Sequence, residues 1–363
     1  MKFFEVLDII NGRNQKQVEN PKGKYPIYGS GGVMGYADDY ICEANTVIIG
    51  RKGSINNPIF VEEPFWNVDT AFGLVAHKEV LLPKYLYYFC VHFNFEQLNT
   101  TVTIPSLTKA NLLKIEITVP TIEKQGEIVV VLDQVSSLIE LRHKQLKEID
   151  DLVKSRFIEM FGDESKYRST PLTESVEEMF IGPFGSSLKN ECFVSEDDGY
   201  CMVYEQKHAI RKTMDVDTRY VDEKKYTELQ RFTIKAGDII VSCRGTIGET
   251  FVVPDGAPIG IMHPSIMKIR LKESIYNEVF FNYLLMNVLK QHEAEANGSG
   301  IKMAITATEL GKELFIVPSM DLQKRFATFV KLTDKSKFYI VQTQKYLELL
   351  IRAIQYTTKE VLL

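Results

Sequence analysis

The chain carries the same pattern twice. Pro120 and Pro318 each close an apolar stretch, each is followed five residues on by a glutamine, Gln125 or Gln323, and each leads into a long heptad pattern. Upstream, Ile104 to Thr108 and Leu112 to Pro120 align with Lys302 to Thr306 and Leu310 to Pro318. The prolines lie 198 residues apart, several times the roughly 20 to 50 residues of a solenoid period. The spacing therefore predicts two copies of a domain, each followed by a helix. A duplicated reader on a duplicated spacer points to a bipartite, pseudo-symmetric target.

Each predicted domain reads as short strands, glycine-rich turns and one helix. In the first, Tyr25-Pro-Ile-Tyr28 runs into Gly29-Ser-Gly-Gly32, and Thr46-Val-Ile-Ile-Gly50 into Arg51-Lys-Gly53. Apolar bursts bounded by Gly and Asn are strand and turn signals. Pro83 to Phe89 places a proline at a plausible first helical position, with apolar residues three and four apart behind it. The second copy keeps the order: Ile239 to Ser242, then Cys243-Arg-Gly-Thr-Ile-Gly248, then the helical Val279 to Leu285. Gly53 pairs with Gly245 and Tyr88 with Tyr283, at offsets that drift toward that of the prolines as loop changes accumulate. The predicted boundaries are 1–120, 121–162, 163–318 and 319–363.

The segments after the prolines carry the sharper periodicity. Leu132, Ile139, Leu146, Val153 and Met160 are seven apart, with Ile128, Val135 and Ile149 at the other core position. In the second segment Phe326, Ile340, Leu347, Ile354 and Val361 keep a seven-residue frame beside Val330 and Ile351. Sustained spacing of this kind predicts a coiled-coil seam, in which each helix takes the other as its partner; the alternative is that each packs on its own domain. Arg142 and Arg156 fall on one core line, where long stems cover apolar surface while the charged heads reach outward. A helix from Glu123 to Met160 would be ~57 Å long, a ruler under roughly 17 base pairs in duplex terms.

Composition narrows the function. The 363 residues are 45% hydrophobic and 25% charged, enough for two soluble cores. No apolar run approaches the roughly 20 residues of a membrane span, so the expected location is cytoplasmic, without a membrane partner. Cys42, Cys90, Cys192, Cys201 and Cys243 show no C-x-x-C pair, which argues for reduced thiols over zinc or disulfides. The net charge of −5 runs against an autonomous nucleic-acid binder, which is usually basic. DNA binding would have to use local basic loops or basic partners.

Several stretches imitate catalytic motifs. Gly29 to Gly35 resembles a dinucleotide-binding loop but continues into Tyr36-Ala-Asp-Asp-Tyr40 instead of opening an apolar helix. Asn57-Pro58-Ile59-Phe60 resembles a flipped-base loop yet lacks the second proline and an upstream cofactor-binding unit, and reads better as a turn entering a strand. His77, His92, His143, His208, His263 and His292 show neither metal spacing nor a nucleophile nearby. With no P-loop, helicase motif or nuclease carboxylate cluster, the expectation is a recogniser without its own active site or cofactor.

The order Tyr25 to Gly32, Ile48 to Ser54, Ile104 to Thr108, Ile115 to Pro120 and a long helix resembles the specificity subunit of type I restriction-modification systems. Gly182 to Leu188, Gly237 to Gly245 and the block ending Val317-Pro318 look like the same family in the second copy. The resemblance spans essentially the whole chain. It implies an α+β architecture: two pseudo-symmetric mixed α/β target recognition domains, β-rich with helices, separated by two long antiparallel coiled-coil helices. It further implies that each domain reads one half of a split double-stranded DNA sequence. Catalysis would belong to partners: DNA methyltransferase (modification) subunits, two of them, using S-adenosylmethionine, and a restriction/translocase subunit using ATP and Mg. Lys144, Lys147, Glu148 and Lys345, on the outer faces of the seam, are the expected partner-docking residues. A rival reading is a scaffold whose two β-rich domains bind protein or glycan on a coiled coil.

Base reading needs donors on loops, because the major groove distinguishes all four base pairs through contacts from Arg, Lys, Asn and Gln. In the first domain the candidates are Tyr28, Gly29 and Ser30 with Arg51 and Lys52; their counterparts in the second are Ser186, Ser187 and Lys189, with Arg244. Lys109 and Lys302 sit near matching turns as candidate phosphate contacts, which position without specifying.

Overall fold

The computed structural model describes residues 1–99, 105–183, 185–244, 246–297 and 306–360, with side chains described outside 293–297 and 355–360. They form two compact units, one of Met1–Lys147 with the chain from Phe338 on, the other of Glu148–Lys337.

In the first unit, α1 (Phe3–Val6) leads into β1 (Leu7–Asn11), followed by β2 (Tyr25–Gly29), β3 (Gly32–Ala37), β4 (Thr46–Gly50), β5 (Ile59–Val61), β6 (Trp66–Asn67) and β7 (Ala71–Ala76). Helices α2 (Pro83–His92), α3 (Lys109–Leu112) and α4 (Ile122–Phe161) come next. One sheet has the order β1-β7-β4-β5, the other β3-β2-β6. Strand β4 is buried along its whole length. Successive side chains of a strand face opposite ways, so Val47 and Ile49 enter the helix-covered core while Ile48 packs with Cys42, Val61 and Phe65 on the other side. That double burial explains the uninterrupted apolar run in the sequence.

The second unit contains β8 (Arg168–Pro171), α5 (Leu172–Ser175), β9 (Val176–Ile181), β10 (Cys201–Tyr204), α6 (Gln206–Arg211), β11 (Tyr220–Val221), α7 (Glu223–Glu228), β12 (Thr233–Ile234), β13 (Ile239–Ser242), β14 (Thr250–Val252), β15 (Gly260–Met262) and β16 (Ile266–Leu271). Then follow α8 (Glu278–Asn297), α9 (Ala307–Leu310), β17 (Leu314–Val317) and α10 (Met320–Glu360). Its main sheet, β14-β13-β16-β9, repeats the order of the first unit read from the opposite edge, and its second sheet is β11-β10-β15-β12. In both units the second sheet contains one parallel pair, β2 with β6 and β10 with β15. Strand β13 alternates as β4 does: Ile239 and Val241 face the helix-covered core, Ile240 the other.

The glycine run after Tyr28 is a hairpin turn, with Gly29 paired to Gly32 and only Ser30 and Gly31 between them. Gly32 has φ +119°, which favours glycine. Asn57-Pro58 leads directly into β5.

The long helices enter both cores. In the first unit, Ile128, Leu132 and Val135 of α4 share a cluster with Ile351 of α10, and Leu347 and Ile354 pack against it. In the second, Val153, Phe157 and Phe161 of α4 share a cluster with Phe326, and Leu322, Phe329 and Val330 pack against it. The heptad position skipped in sequence is Thr333, buried with its hydroxyl donating to the Val330 carbonyl at 2.8 Å. Val361 of the heptad frame lies outside the described residues.

The two glutamines five residues past the prolines do the same work. Gln125 is fully buried; its amide donates to the carbonyls of Val80 and Pro120, both at 2.8 Å, and accepts from the Leu82 N–H at 2.8 Å. Gln323, also fully buried, donates to Ile275 and Pro318 and accepts from Asn277 N–H at 2.9 Å. Each ties the first turn of a long helix to the residues that begin α2 or α8. Gln125→Ala or Gln323→Ala strands three buried main-chain groups, so each should destabilise by on the order of 3 kcal/mol. Denaturant titration with amide exchange should place the loss in the unit that contains the substitution.

Candidate functional site

The candidate loops of the first unit meet where β2, β4 and β6 end. Val68 N–H, just past β6, donates to the Tyr28 carbonyl at 3.0 Å. A Cβ on Gly50 would collide with the Ser54 carbonyl and lie 3.0 Å from Cβ of Ser30, so the two loops touch. Arg51 N–H donates to Thr70 at 2.8 Å, and Leu107 N–H donates to the Arg51 carbonyl at 2.9 Å. Arg51 and Lys52 are exposed; the Arg51 guanidinium lies 5.8 Å from the centre of the Phe72 ring and reaches the Asp69 carbonyl at 3.5 Å. Ser30, Arg51 and Lys52 therefore share one end of the unit.

Two first-unit residues have structural work. Tyr28 is half-buried edge-on against Phe65, ring centres 5.4 Å apart, and burial followed by the Glu63 charge pushes its hydroxyl pKa up. The Lys109 ammonium donates to the Ile9 carbonyl at 2.6 Å, joining α3 to β1. Lys302 lies outside the described residues, as does Gly245.

Strand topology corrects the alignment of the copies. A Cβ on Gly12, after β1, would collide with the Val68 carbonyl, and one on Gly182, after β9, with the His263 carbonyl. Gly182 is thus the counterpart of Gly12, and Tyr28 to Ser30 correspond to Tyr204 and Glu205 at the end of β10. Ser186, Ser187 and Lys189 fall on and after the turn Gly185–Ser187, which is anchored by buried Leu188 packing with Val203 and Val221. Arg244 is exposed at the end of β13, as Arg51 is at the end of β4.

The strand ends of the second unit bring together residues that sequence reading passed over. Glu205, only 8% exposed, pairs with the Arg219 guanidinium and with Lys207 Nζ at 2.7 Å. Burial pushes its carboxyl up, but Arg219 and Lys207 outweigh that and keep it below its usual range. The Arg219 guanidinium carbon lies over the Phe193 ring, 3.8 Å from its centre. His263, after β15, meets the Ser265 hydroxyl at 2.8 Å. Its pKa is lowered, first by burial and then by Arg219, Arg244 and Lys207, against an opposing pull from Glu205. A carboxylate directly after the buried run Cys201 to Tyr204 was the one sequence signal for this cluster.

Among the described residues no group of three or more His, Cys, Asp or Glu is placed to hold a metal ion, and no helix is long and apolar enough to cross a membrane.

The family described as the type I restriction modification DNA specificity domain matches residues 1–151 and again 195–349, one match in each copy. The chain belongs to this family. A relative in Haemophilus influenzae, assigned as a type I restriction enzyme specificity subunit, is 26% identical over 395 residues, covering 96% of this chain and 93% of its own. One in Methanocaldococcus jannaschii, with the corresponding assignment, is 21% identical over 273 residues, covering 72% and 63%. The fold matches a crystal structure of a type I S subunit from M. genitalium at TM-score 0.57 and 19% identity, covering 98% of this chain and 94% of that one. It also matches a chain from a type I restriction-modification system at TM-score 0.55 and 16% identity, covering 99% and 96%. The mixed α/β architecture of this specificity subunit is therefore that of the S-subunit fold.

A second ionic cluster stiffens the other face of the second unit's main sheet. Lys268 Nζ, almost fully buried, meets Glu178 at 2.6 Å and lies 4.5 Å from the Phe180 ring centre; Arg270 takes Asp238 through two nitrogens at 2.7 Å. Burial raises the Glu178 carboxyl, and Lys268 and Arg270 more than reverse this. Both Glu178 and Glu205 thus have folded-state values below the ordinary 4.5. Their contribution is complete above that value and lost as pH falls through the folded one. Thermal melts between pH 7 and 3 should show the second unit weakening below about pH 4.5, with a flatter acid limb in Glu178→Gln and Glu205→Gln.

Proposed function

We propose that this chain is the non-catalytic DNA sequence-reading subunit of a type I restriction-modification complex, each unit reading one half of a bipartite, asymmetric duplex target. The observation that carries this reading is the duplicated topology in which equivalent strand ends, those of β4 and β13, each present an exposed arginine beside a glycine-bearing turn. Arg51 with Lys52 and Ser30 would contact the first half-site, and Arg244 the second. Ser186, Ser187 and Lys189 supply further donors on their turn. Gly29 serves the hairpin turn, and Lys109 and Lys302 remain candidates for phosphate. The acidic balance of the chain suits a subunit whose phosphate contacts are shared with basic partners.

In this reading α4 and α10 pair antiparallel as the spacer between target recognition domains. The early part of α4 meets the late part of α10 in one core, and the reverse holds in the other. The partners are modification subunits, two of them, transferring methyl from S-adenosylmethionine to adenine N6, and an ATP- and Mg-dependent restriction/translocase subunit. Docking is supported by exposed apolar side chains on the helices, among them Val131, Leu138 and Leu141 of α4 and Phe338, Tyr346 and Leu350 of α10. Lys144, Lys147, Glu148 and Lys345 are exposed among them and would set register against partner helices. The complex would act in the cytoplasm.

Methylome sequencing with and without the gene tests this: one split, asymmetric adenine motif should vanish on deletion, and an unchanged methylome in an active system would refute the function. Within the complex, Arg51→Ala should lower affinity roughly 5- to 100-fold through the first half-site alone, and Arg244→Ala through the second alone. Equal losses on every sequence would instead assign both to phosphate.

A further inference from the structure

We propose that Arg219 is a specificity-determining residue of the second half-site, its guanidinium fixed in one plane by Phe193 and Glu205 as a donor fork for the major-groove edge of a guanine. This rests on the DNA-reading function proposed above.

The argument begins with charge. Glu205 supplies one negative charge to a neighbourhood that holds Lys207, Arg219 and Arg244, within reach of His263. A surplus of positive charge at the strand ends of a chain whose net charge is −5 calls for an acceptor-rich ligand. Geometry then narrows the ligand. Arg219 holds its guanidinium carbon 3.8 Å from the centre of the Phe193 ring and pairs through one amino nitrogen with Glu205, two contacts that together restrict its plane, while its side chain is 33% exposed. A guanidinium carries five donors in a fixed fork, so most remain for a ligand. A phosphate presents acceptor oxygens in several directions, whereas guanine O6 and N7 both accept in the plane of the base, so a guanidinium already held in one plane suits the base edge better. Ordering a long side chain before binding also removes an entropic cost from the binding step. Burying Glu205 to achieve this is costly in itself, which is understandable if the carboxylate aims the arginine.

Topology explains why the feature belongs to one copy. Ser30 and Gly31 alone join β2 to β3, whereas residues 205–219 intervene between β10 and β11 and bring Glu205, Lys207 and Arg219 with them. The backbone anchors the last of these, since Val203 N–H donates to the Arg219 carbonyl at 2.8 Å.

The test uses the assembled modification complex and a duplex library in which only the second half-site is randomised. Arg219→Ala should weaken binding to the preferred sequence roughly 5- to 100-fold and erase the preference at one G·C pair. First half-site discrimination and the salt dependence should stay unchanged. Arg219→Lys, which keeps the charge but lacks the planar fork, should lose the same preference, and Phe193→Leu should blunt it. A uniform loss on all sequences, with the salt slope reduced by about 1, would overturn the proposal in favour of phosphate contact. Unchanged selection by Arg219→Lys would overturn it too, as would a lowered Tm with unchanged selection in Arg219→Ala. Absence of any selective binding by the unsubstituted complex would instead sink the DNA-reading function itself, and this assignment with it.

Discussion

A single buried amide at the foot of each long helix fixes where that helix leaves its domain. Gln125 and Gln323 each satisfy two carbonyls and one N–H at the junction of a proline, a helix start and the segment before α2 or α8. A buried main-chain group left unpaired costs about 1–3 kcal/mol, so no small rearrangement of the helix start satisfies all three. The apolar seam is permissive about rotation and sliding, since many side-chain arrangements bury similar area. The amide is not, because its donors and acceptor meet their partners in one geometry. Where each long helix leaves its domain is therefore set first at this junction.

The elements legible in sequence were those fixed by local periodicity. Seven-residue spacing marked α4 and α10, a proline at a helix start marked α2, and apolar runs bounded by glycine marked β4 and β13, because each signal lies within one element. The exposed place of Arg51 and Lys52 at a strand end was legible for the same reason, since both follow directly from a buried strand. The pairing of β2 with β6 and of β10 with β15 was not, because parallel partners are far apart in the chain and no local pattern encodes their register. That hidden pairing is why Ser186 and Ser187 looked like counterparts of Tyr28 and Ser30, when topology gives that place to Tyr204 and Glu205. Lys109 was legible only in part: an exposed lysine near a turn resembles a phosphate contact, but no local pattern encodes the hydrogen bond its ammonium also donates to the Ile9 carbonyl. Glu205, Lys207 and Arg219 span a loop whose charges look like ordinary solvated residues until the fold closes it.

The two units keep one backbone plan with different chemistry behind it. Across the central strands, Ile48 pairs with Gly73 in the first unit and Ile240 with Lys268 in the second. The glycine makes room for Cys42, whose sulfur any Cβ there would crowd, and the layer is closed by Phe65 and Val61. The lysine instead fills its place with an ammonium held by Glu178 and Phe180, continued by Arg270 and Asp238. The same contrast runs through the candidate reading surfaces, where a two-residue turn in one unit answers to a fifteen-residue connection, residues 205–219 including α6, in the other. Main-chain pairing tolerates either solution because strand register is set by the backbone ladder and the alternation of buried faces. Duplication therefore preserves the plan that aims the strand ends in both units while leaving the side chains there free to diverge. Under the proposed function, two copies of one scaffold would read two different sequences, and an asymmetric target would need no asymmetry in the architecture.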